Sequence, residues 1–140
     1  MNKIRFPKFA FLAVLAAGVM QAQSTVATVP FGFQVGTSVL PAGPYWFVAS
    51  NGLLEVRSLA TTLPAVHVLT VAESRTPDPQ FPVAVEFLRL GNRYYLSAVW
   101  TEAATGVGLL PTAGQRKRMR DYRADSVIVT AGNSEMSVAR

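Results

Sequence analysis

Apolar and polar side chains alternate along most of the chain after residue 22, and short groups of turn-forming residues separate the alternating segments. A period of two residues is typical of β-strands that bury one face and expose the other. The alternation predicts strands at 26–33, 45–50, 53–58, 65–72, 81–90, 93–101 and 126–130. Tight turns favour antiparallel pairing, so we predict an all-β fold of about seven strands, either an antiparallel sandwich or a small barrel.

The pair Asn51-Gly52 marks a first hairpin, because it is a favoured two-residue sequence for a type I′ turn. Counting back from that turn places Phe47 opposite Val56 and Trp46 opposite Arg57. Side chains alternate between the two faces of a strand, so this register also separates a core face from an outer face. The predicted core face contains Tyr45, Phe47, Ala49, Leu54 and Val56, and the predicted outer face contains Trp46, Val48, Glu55 and Arg57.

The pair Gly91-Asn92 marks a second hairpin, between the segments 81–90 and 93–101. An unbroken register across this turn predicts one broad apolar face, closed at the turn end by Arg89 and Tyr94. That face combines Phe81, Val83, Val85 and Phe87 with Leu96, Ala98 and Trp100. Buried aromatic side chains remove roughly 150–250 Å² each from water, so we expect Phe87 and Trp100 to be major core residues.

The segment after the second hairpin loses the alternation. Residues 105–114 are rich in glycine, and we expect them to be irregular. Thr112 and Gln115 have the spacing of a capping box, which predicts one short C-terminal helix that begins there and runs to about residue 124. We expect the chain from Gly132 onward to be frayed.

The first 22 residues have the organisation of a secretory signal peptide. Three cations lie within Met1–Lys8, the run Phe9–Met20 has no charged or polar side chain, and Gln21 and Ala22 follow. This run is shorter than the roughly 20 apolar residues that a transmembrane helix needs. We therefore predict a cleaved signal peptide at 1–22 and a single β domain at 23–140, exported to the periplasm or the outside. No later apolar run reaches membrane length, so we expect no transmembrane segment after the leader is removed.

The sequence also carries two stretches of a known pattern. Val29-Pro30-Phe31, Phe33 and Val35-Gly36, then Leu40-Pro41-Ala42-Gly43 and Tyr45, form the first stretch, and Arg93-Tyr94-Tyr95-Leu96-Ser97 through Val99-Trp100 form the second. Together, with the basic helix that follows the second stretch, they resemble small exported bacterial proteins, common in acidobacterial genomes, that open on VPFxFxVG…LPAGxY. The matching positions are turn residues and core aromatics. The resemblance therefore implies export and a β fold, and it assigns no catalytic or binding residue.

Charge and composition exclude several classes of function. The chain has thirteen Lys and Arg residues and eight Asp and Glu residues, and three of the cations lie in the predicted leader. What remains is close to neutral, which argues against a general nucleic-acid-binding protein. The chain has no cysteine and one histidine, whereas a metal site needs several His, Cys or carboxylate ligands. We therefore predict no metal and no cofactor.

His67 is the natural candidate for a general base, because it is the only histidine in the sequence. A catalytic histidine needs a nucleophile and an orienting acid beside it. His67 lies in phase with Ala65 and Leu69 in an alternating segment, which indicates a partly buried strand residue bonded to a neighbour. The four glutamates at 55, 73, 86 and 102 are each isolated and are typical of solvent-facing strand positions. We therefore assign no catalytic residue.

The segment 116–123 is the one unusual feature, because it holds five cations and one acid. On a helix, Met119 and Tyr122 form a narrow apolar stripe that could dock on the sheet. The cations around that stripe are Arg116, Lys117, Arg120 and Arg123, and they are our candidate anion-binding residues. The alternative is a solvated amphipathic face without a ligand. The expected ligands are anionic envelope polymers or an acidic protein.

These observations favour a non-enzymatic secreted or periplasmic β domain that binds a partner or belongs to the cell envelope. Two alternatives stay open. One is a carrier whose β-barrel holds a small ligand, which an interior cavity would favour. The other is a hydrolase whose site is not visible in the sequence, which His67 in a cleft beside a serine or an acid would favour.

Overall fold

The structure, a computed structural model, describes residues 23–77, 79–80, 83–131 and 136–139. The predicted signal peptide, 1–22, lies outside the described residues. The fold is all-β with one short helix towards the C-terminus, and this confirms the predicted fold class. Among the described residues, no helix is long and apolar enough to cross a membrane.

Eleven strands and one helix make up the described part of the chain. The strands are β1 (Gln23–Val29), β2 (Phe33–Val35), β3 (Ser38–Leu40), β4 (Gly43–Ser50), β5 (Leu53–Ser58), β6 (Val66–Ser74), β7 (Ala84–Leu90), β8 (Arg93–Trp100), β9 (Thr105–Leu109), β10 (Ala124–Thr130) and β11 (Met136–Ala139). The helix is α1 (Ala113–Asp121). The predicted count of about seven was therefore too low.

The additional strands lie where alternation gave no signal. The predicted strand at 26–33 breaks at Pro30, so β1 ends there and β2 pairs instead with β3. β9 falls in the glycine-rich segment predicted to be irregular, and β11 falls in the tail predicted to be frayed. Gly106 is needed in β9, because a Cβ there would collide with the carbonyl oxygen of Val99 on β8. Backbone hydrogen bonding therefore forms strands in segments whose side chains do not alternate between apolar and polar.

The strands form one curled sheet in the order β1-β4-β5-β6-β9-β8-β7-β10-β11. Every pairing along this path is antiparallel, and β2 makes one parallel contact with β8 through Gln34 and Tyr95. β6 pairs with β5 along its first half and with β9 along its second half, so it joins the two halves of the sheet. β1 packs against β10 and β7, but across the described residues the sheet does not close into a barrel.

The first hairpin, β4–β5, has the predicted register. Phe47 lies opposite Val56 and Trp46 lies opposite Arg57. The φ angles of Asn51 and Gly52 are 52° and 77°, as a type I′ turn requires. All five residues of the predicted core face are buried, and the predicted outer face is half-buried or exposed. The side-chain faces of this hairpin were therefore predicted correctly.

The second hairpin, β7–β8, has a β-bulge that the prediction missed. Phe87 lies opposite Leu96, but Glu86 lies opposite Ala98, so Ser97 is an extra residue on β8. A bulge of one residue reverses the side-chain faces beyond it. Val99 therefore joins the core, whereas Ala98 and Trp100 lie on the opposite face of the sheet. Their predicted place beside Phe87 was wrong, and Phe81 lies outside the described residues.

The core lies between the two halves of the curled sheet. It is built from apolar side chains of both halves, with Phe47, Phe87 and Leu54 among the largest that are fully buried. Phe33, from the β2–β3 hairpin, packs edge-on against Tyr45 and Phe87. Phe33 and Tyr45 of the opening motif are therefore core residues, and the partly buried Phe31 packs against the core.

Helix α1 begins as the capping pattern predicted. The Oγ1 atom of Thr112 accepts a hydrogen bond from the backbone N–H of Gln115 at 3.1 Å. The helix ends at Asp121 rather than near residue 124, because Ala124 already pairs with Leu90 at the start of β10. The short link between α1 and β10 holds the helix next to the β7–β8 turn.

Candidate functional site

Helix α1 is attached to the β7–β8 turn by two side chains. The Nη2 atom of Arg118 donates a hydrogen bond to the carbonyl oxygen of Leu90 at 2.9 Å, and its guanidinium lies 4.6 Å from the centre of the Tyr122 ring. The Tyr122 ring lies so close to Gly91 that a Cβ there would be 2.9 Å from it. Gln115 is the buried residue of the helix, whereas Met119 is 44% exposed.

The predicted docking stripe of Met119 and Tyr122 was therefore only half right. Tyr122 contacts the turn, but Arg118 takes the place that we assigned to Met119. The flat guanidinium can stack on the tyrosine ring and also donate to a backbone carbonyl, which a thioether cannot do. Arg118 is thus a structural cation rather than a free one.

The four predicted anion-binding residues are divided between different sides of the helix. Arg116 and Arg120 line a shallow depression of about 500 Å³ together with Ala113 and Met119. Lys117 lies on the other flank. Arg123 is exposed in the link that leads to β10. The structure therefore brings only Arg116 and Arg120 into one depression.

The flank that carries Lys117 faces a cleft of about 310 Å³ between the helix and the sheet, which we call the helix cleft. Arg118 and Tyr122 form part of its wall, and the other lining residues are Gln34, Arg93, Tyr95, Gly114, Lys117 and Asp121. Arg93 is exposed at the start of β8. Arg93 was not predicted as a binding residue, because it lies more than twenty residues from the basic segment and no local pattern connects the two.

A second cleft of about 380 Å³, which we call the hairpin cleft, adjoins the first. Gln34 and Arg93 line both clefts, so the two form one groove that passes over Arg93. The other lining residues of the hairpin cleft are Gly32, Phe33, Val39, Asn92 and Tyr94. This half of the groove has more apolar side chains, whereas the helix cleft is mostly polar and charged.

Tyr94, which forms one wall of the hairpin cleft, is fixed by contacts with residues outside the cleft. The Tyr94 ring stacks on Phe31 with 3.8 Å between the ring centres. Arg89 lies opposite Tyr94 on β7, and its Nη2 atom donates to Oδ2 of Asp125 at 2.7 Å. Hydrogen bonds to Asp125 and Tyr94 raise the pKa of Arg89 above its ordinary value. These contacts fix the ring that forms one side of the groove.

Within the described residues, Arg93 and the cations of α1 form no ion pair. Across the part of the chain that the structure describes, the ion pairs are Arg57 with Glu55 and Arg89 with Asp125, and His67 lies 3.5 Å from Glu55. None of them involves Arg93 or a cation of α1. Clustered charges without partners concentrate a positive potential on one surface even when the net charge of a protein is small. In the described part of the chain, the positive charges of Arg93 and of the exposed α1 cations are therefore not offset by an ion pair.

His67 occupies a different part of the molecule. It lies on β6 opposite Glu55, and its Nε2 atom is 3.5 Å from Oε1 of that glutamate. The strand position agrees with the prediction, but the side chain is exposed rather than partly buried, and its approach to Glu55 is a contact rather than a hydrogen bond. Within the described residues, no three His, Cys, Asp or Glu side chains are grouped closely enough to hold a metal ion.

Comparison of the chain with protein-family models, curated proteins and solved structures finds no match. The resemblance to small exported bacterial proteins therefore stays a prediction based on the two sequence stretches. The geometry of the groove and of the helix is the observation that bears on function.

Proposed function

We propose that this chain is a non-enzymatic, exported β domain that binds anionic envelope polymers or an acidic partner protein. The proposed contact is the basic surface, which we define as Arg116, Lys117, Arg120 and Arg123. The observation that carries the proposal is that all four residues are exposed and, within the described residues, none of them forms an ion pair.

The position of the basic surface supports binding rather than a structural role. Arg118 makes the polar contact with Leu90 on the sheet. Arg116 donates a hydrogen bond to the carbonyl oxygen of Pro111 just before the helix, and no hydrogen bond shown for the four exposed cations reaches the sheet within the described residues. Three of the four are arginines, whose planar guanidinium can donate two parallel hydrogen bonds to a carboxylate or a phosphate. The predicted signal peptide supports the choice of envelope polymers as partners, because an exported protein meets them first.

The proposal predicts binding that weakens steeply as salt is added. Exposed charges are screened beyond about 30 Å at 0.01 M salt and beyond about 8 Å at physiological salt. We expect the protein that lacks residues 1–22 to bind immobilised polygalacturonate at low salt and to lose most of that binding at physiological salt. The Arg116→Gln/Arg120→Gln/Arg123→Gln variant should not bind, and its thermal unfolding should match that of the parent.

Arg57 offers a matched control, because it is also exposed but lies on the outer face of the β4–β5 hairpin. Arg57→Gln removes one charge and should weaken binding much less than Arg120→Gln does. A parent that binds no anionic polymer at low salt contradicts the proposal. Equal binding by the parent and the triple variant contradicts it as well.

A further inference from the structure

The groove over Arg93 combines cations with neutral hydrogen-bonding groups. Arg93 and Lys117 flank the helix cleft, and Gln34, Tyr95 and Asp121 lie between or beside them. Tyr95 is 3% exposed, and within the described residues no protein group pairs with its hydroxyl. A ligand that fits this site presents an anionic group to the cations and also hydroxyl groups to the other side chains.

We propose that the groove binds one chain of an acidic polysaccharide. A sugar carboxylate lies between Arg93 and Lys117 in the helix cleft, and the neighbouring sugar residue occupies the hairpin cleft. This inference rests on the proposed function, and it names both the ligand class and the place where the ligand binds.

The groups in the helix cleft favour a carboxylated sugar over a simple anion. Arg93 and Lys117 supply charged donors, and hydrogen bonds between ionised groups are stronger than neutral ones. Asp121 lies in the same cleft, where its negative charge repels a ligand that is anionic all round. A sugar hydroxyl can instead donate a hydrogen bond to Asp121 while the carboxylate of the same residue stays near the cations.

The hairpin cleft suits the next sugar residue. Val39 is 76% exposed at one side of this cleft, and the half-buried Tyr94 adds ring surface. A pyranose ring has apolar C–H faces that pack on such surface, and the amide of Asn92 can bond to its hydroxyl groups. Both clefts are open to solvent and meet at Arg93, as expected for a site where a long polymer crosses the surface.

Gly114 gives the proposal a sharp test. A Cβ at this position would meet only the Oγ1 atom of Thr112, at 4.0 Å, so the fold has space for a side chain there. Gly114 lines the helix cleft, and a phenylalanine ring at this position would fill it. Replacing a helical glycine also favours the helix, so Gly114→Phe should block the groove without unfolding the protein.

Ala113→Phe is the matched control, because the adjacent Ala113 lines the Arg116–Arg120 depression on the other flank of the helix. We would measure the binding of tetragalacturonate to the protein that lacks residues 1–22 by calorimetry. The parent should bind one molecule with saturation. Arg93→Gln removes a charged contact with the ligand, and Gly114→Phe fills the space that the ligand occupies. Each should therefore weaken binding by about tenfold or more. Ala113→Phe and Arg57→Gln, a substitution on the outer face of the β4–β5 hairpin, should change it by less than about twofold.

The chemistry of the ligand is tested with two further probes. The fully methyl-esterified tetragalacturonate lacks the charge and should bind much more weakly than the acid. Short-chain polyphosphate has charge but no sugar hydroxyls, so Gly114→Phe should not change its binding. If polyphosphate binds as tightly as tetragalacturonate and Gly114→Phe weakens both to the same extent, the sugar assignment is wrong.

The outcomes separate this inference from the proposed function. If immobilised polygalacturonate binds through Arg116 and Arg120 while Gly114→Phe and Arg93→Gln bind like the parent, the groove is not the site and the basic surface remains. If the parent binds no anionic polymer at all, both proposals are wrong. Arg93→Gln changes an exposed side chain, so it keeps the test decisive even if Gly114→Phe lowers the unfolding temperature.

Discussion

The two hairpins β4–β5 and β7–β8 begin alike and then diverge. Each has a two-residue turn, and each is paired in order next to that turn. In β4–β5 the register continues unbroken as far as Tyr45 and Ser58, so each strand keeps one face in the core. In β7–β8 the bulge between Glu86 and Phe87 interrupts the register, and β8 exchanges its faces partway along.

Because of the bulge, the tryptophans of the two hairpins differ in burial and in polar contacts. Trp46, on the unbroken hairpin, lies on the outer face and is 36% exposed. Trp100, beyond the bulge, is 6% exposed, and its Nε1 atom donates to Oε1 of Glu86 at 3.1 Å. The guanidinium of Arg75 lies 4.4 Å from the Trp100 ring centre. The bulge thus creates a buried polar contact on the side of the sheet away from the main core, and the first hairpin has no equivalent among its described contacts.

The largest expected effect tests what the hairpins share. Phe47 and Phe87 are both fully buried in the main core. Phe47→Ala and Phe87→Ala should each lower the free energy of unfolding by about 3–5 kcal/mol, because each leaves a cavity as well as losing apolar contact. Denaturant titration measures both values. A cost below about 1 kcal/mol for either one would place that residue at the surface and contradict the assigned register.

An intermediate effect tests where the hairpins differ. Glu86→Ala should cost about 1–3 kcal/mol, because it leaves the indole N–H of Trp100 buried without its acceptor. Glu55→Ala, on the outer face of β5, removes an exposed pair with Arg57 and should cost about 1 kcal/mol at most. Denaturant titration again gives the comparison.

The Trp100→Phe background isolates this contact. There the cost of Glu86→Ala should fall towards that of Glu55→Ala, because no indole N–H is left unpaired. An unchanged cost in that background would show that Glu86 stabilises the fold by another route.

The smallest expected effect concerns Tyr45 in the unbroken hairpin. Its hydroxyl donates to the carbonyl oxygen of Pro41 at 2.6 Å, and burial raises its pKa above 10.0. The folded state therefore holds this proton more tightly than the unfolded state does. The stabilisation is complete below about pH 10 and is lost as the pH rises through the higher pKa of the folded protein.

Tyr45→Phe should cost about 1 kcal/mol at neutral pH, because it removes one hydrogen bond. It should also make the free energy of unfolding fall less steeply than that of the parent above about pH 10. Denaturant titrations across the alkaline range measure both slopes. Equal slopes for the two proteins would show that Tyr45 is not the group responsible.

Features that depend on neighbours in the chain were predicted correctly. Asn51-Gly52 determined the register of the first hairpin, because a type I′ turn needs positive φ angles that these residues tolerate. Thr112 determined the start of the helix, because its hydroxyl reaches a backbone N–H three residues away. The concentration of cations in 116–123 was likewise visible from the sequence alone.

Only the tertiary structure decided the features that depend on distant residues. The bulge at Ser97 follows from how β8 pairs with β7 and β9 and packs against the core, and no local pattern marks it. The groove exists because the link after α1 returns the chain to β7, which places the helix beside the start of β8. Arg93 and Lys117 thereby come to line one cleft although they are far apart in the sequence. Turns and caps act over a few residues, whereas the position of a bulge or a cleft is set by packing between segments that meet only in the folded chain.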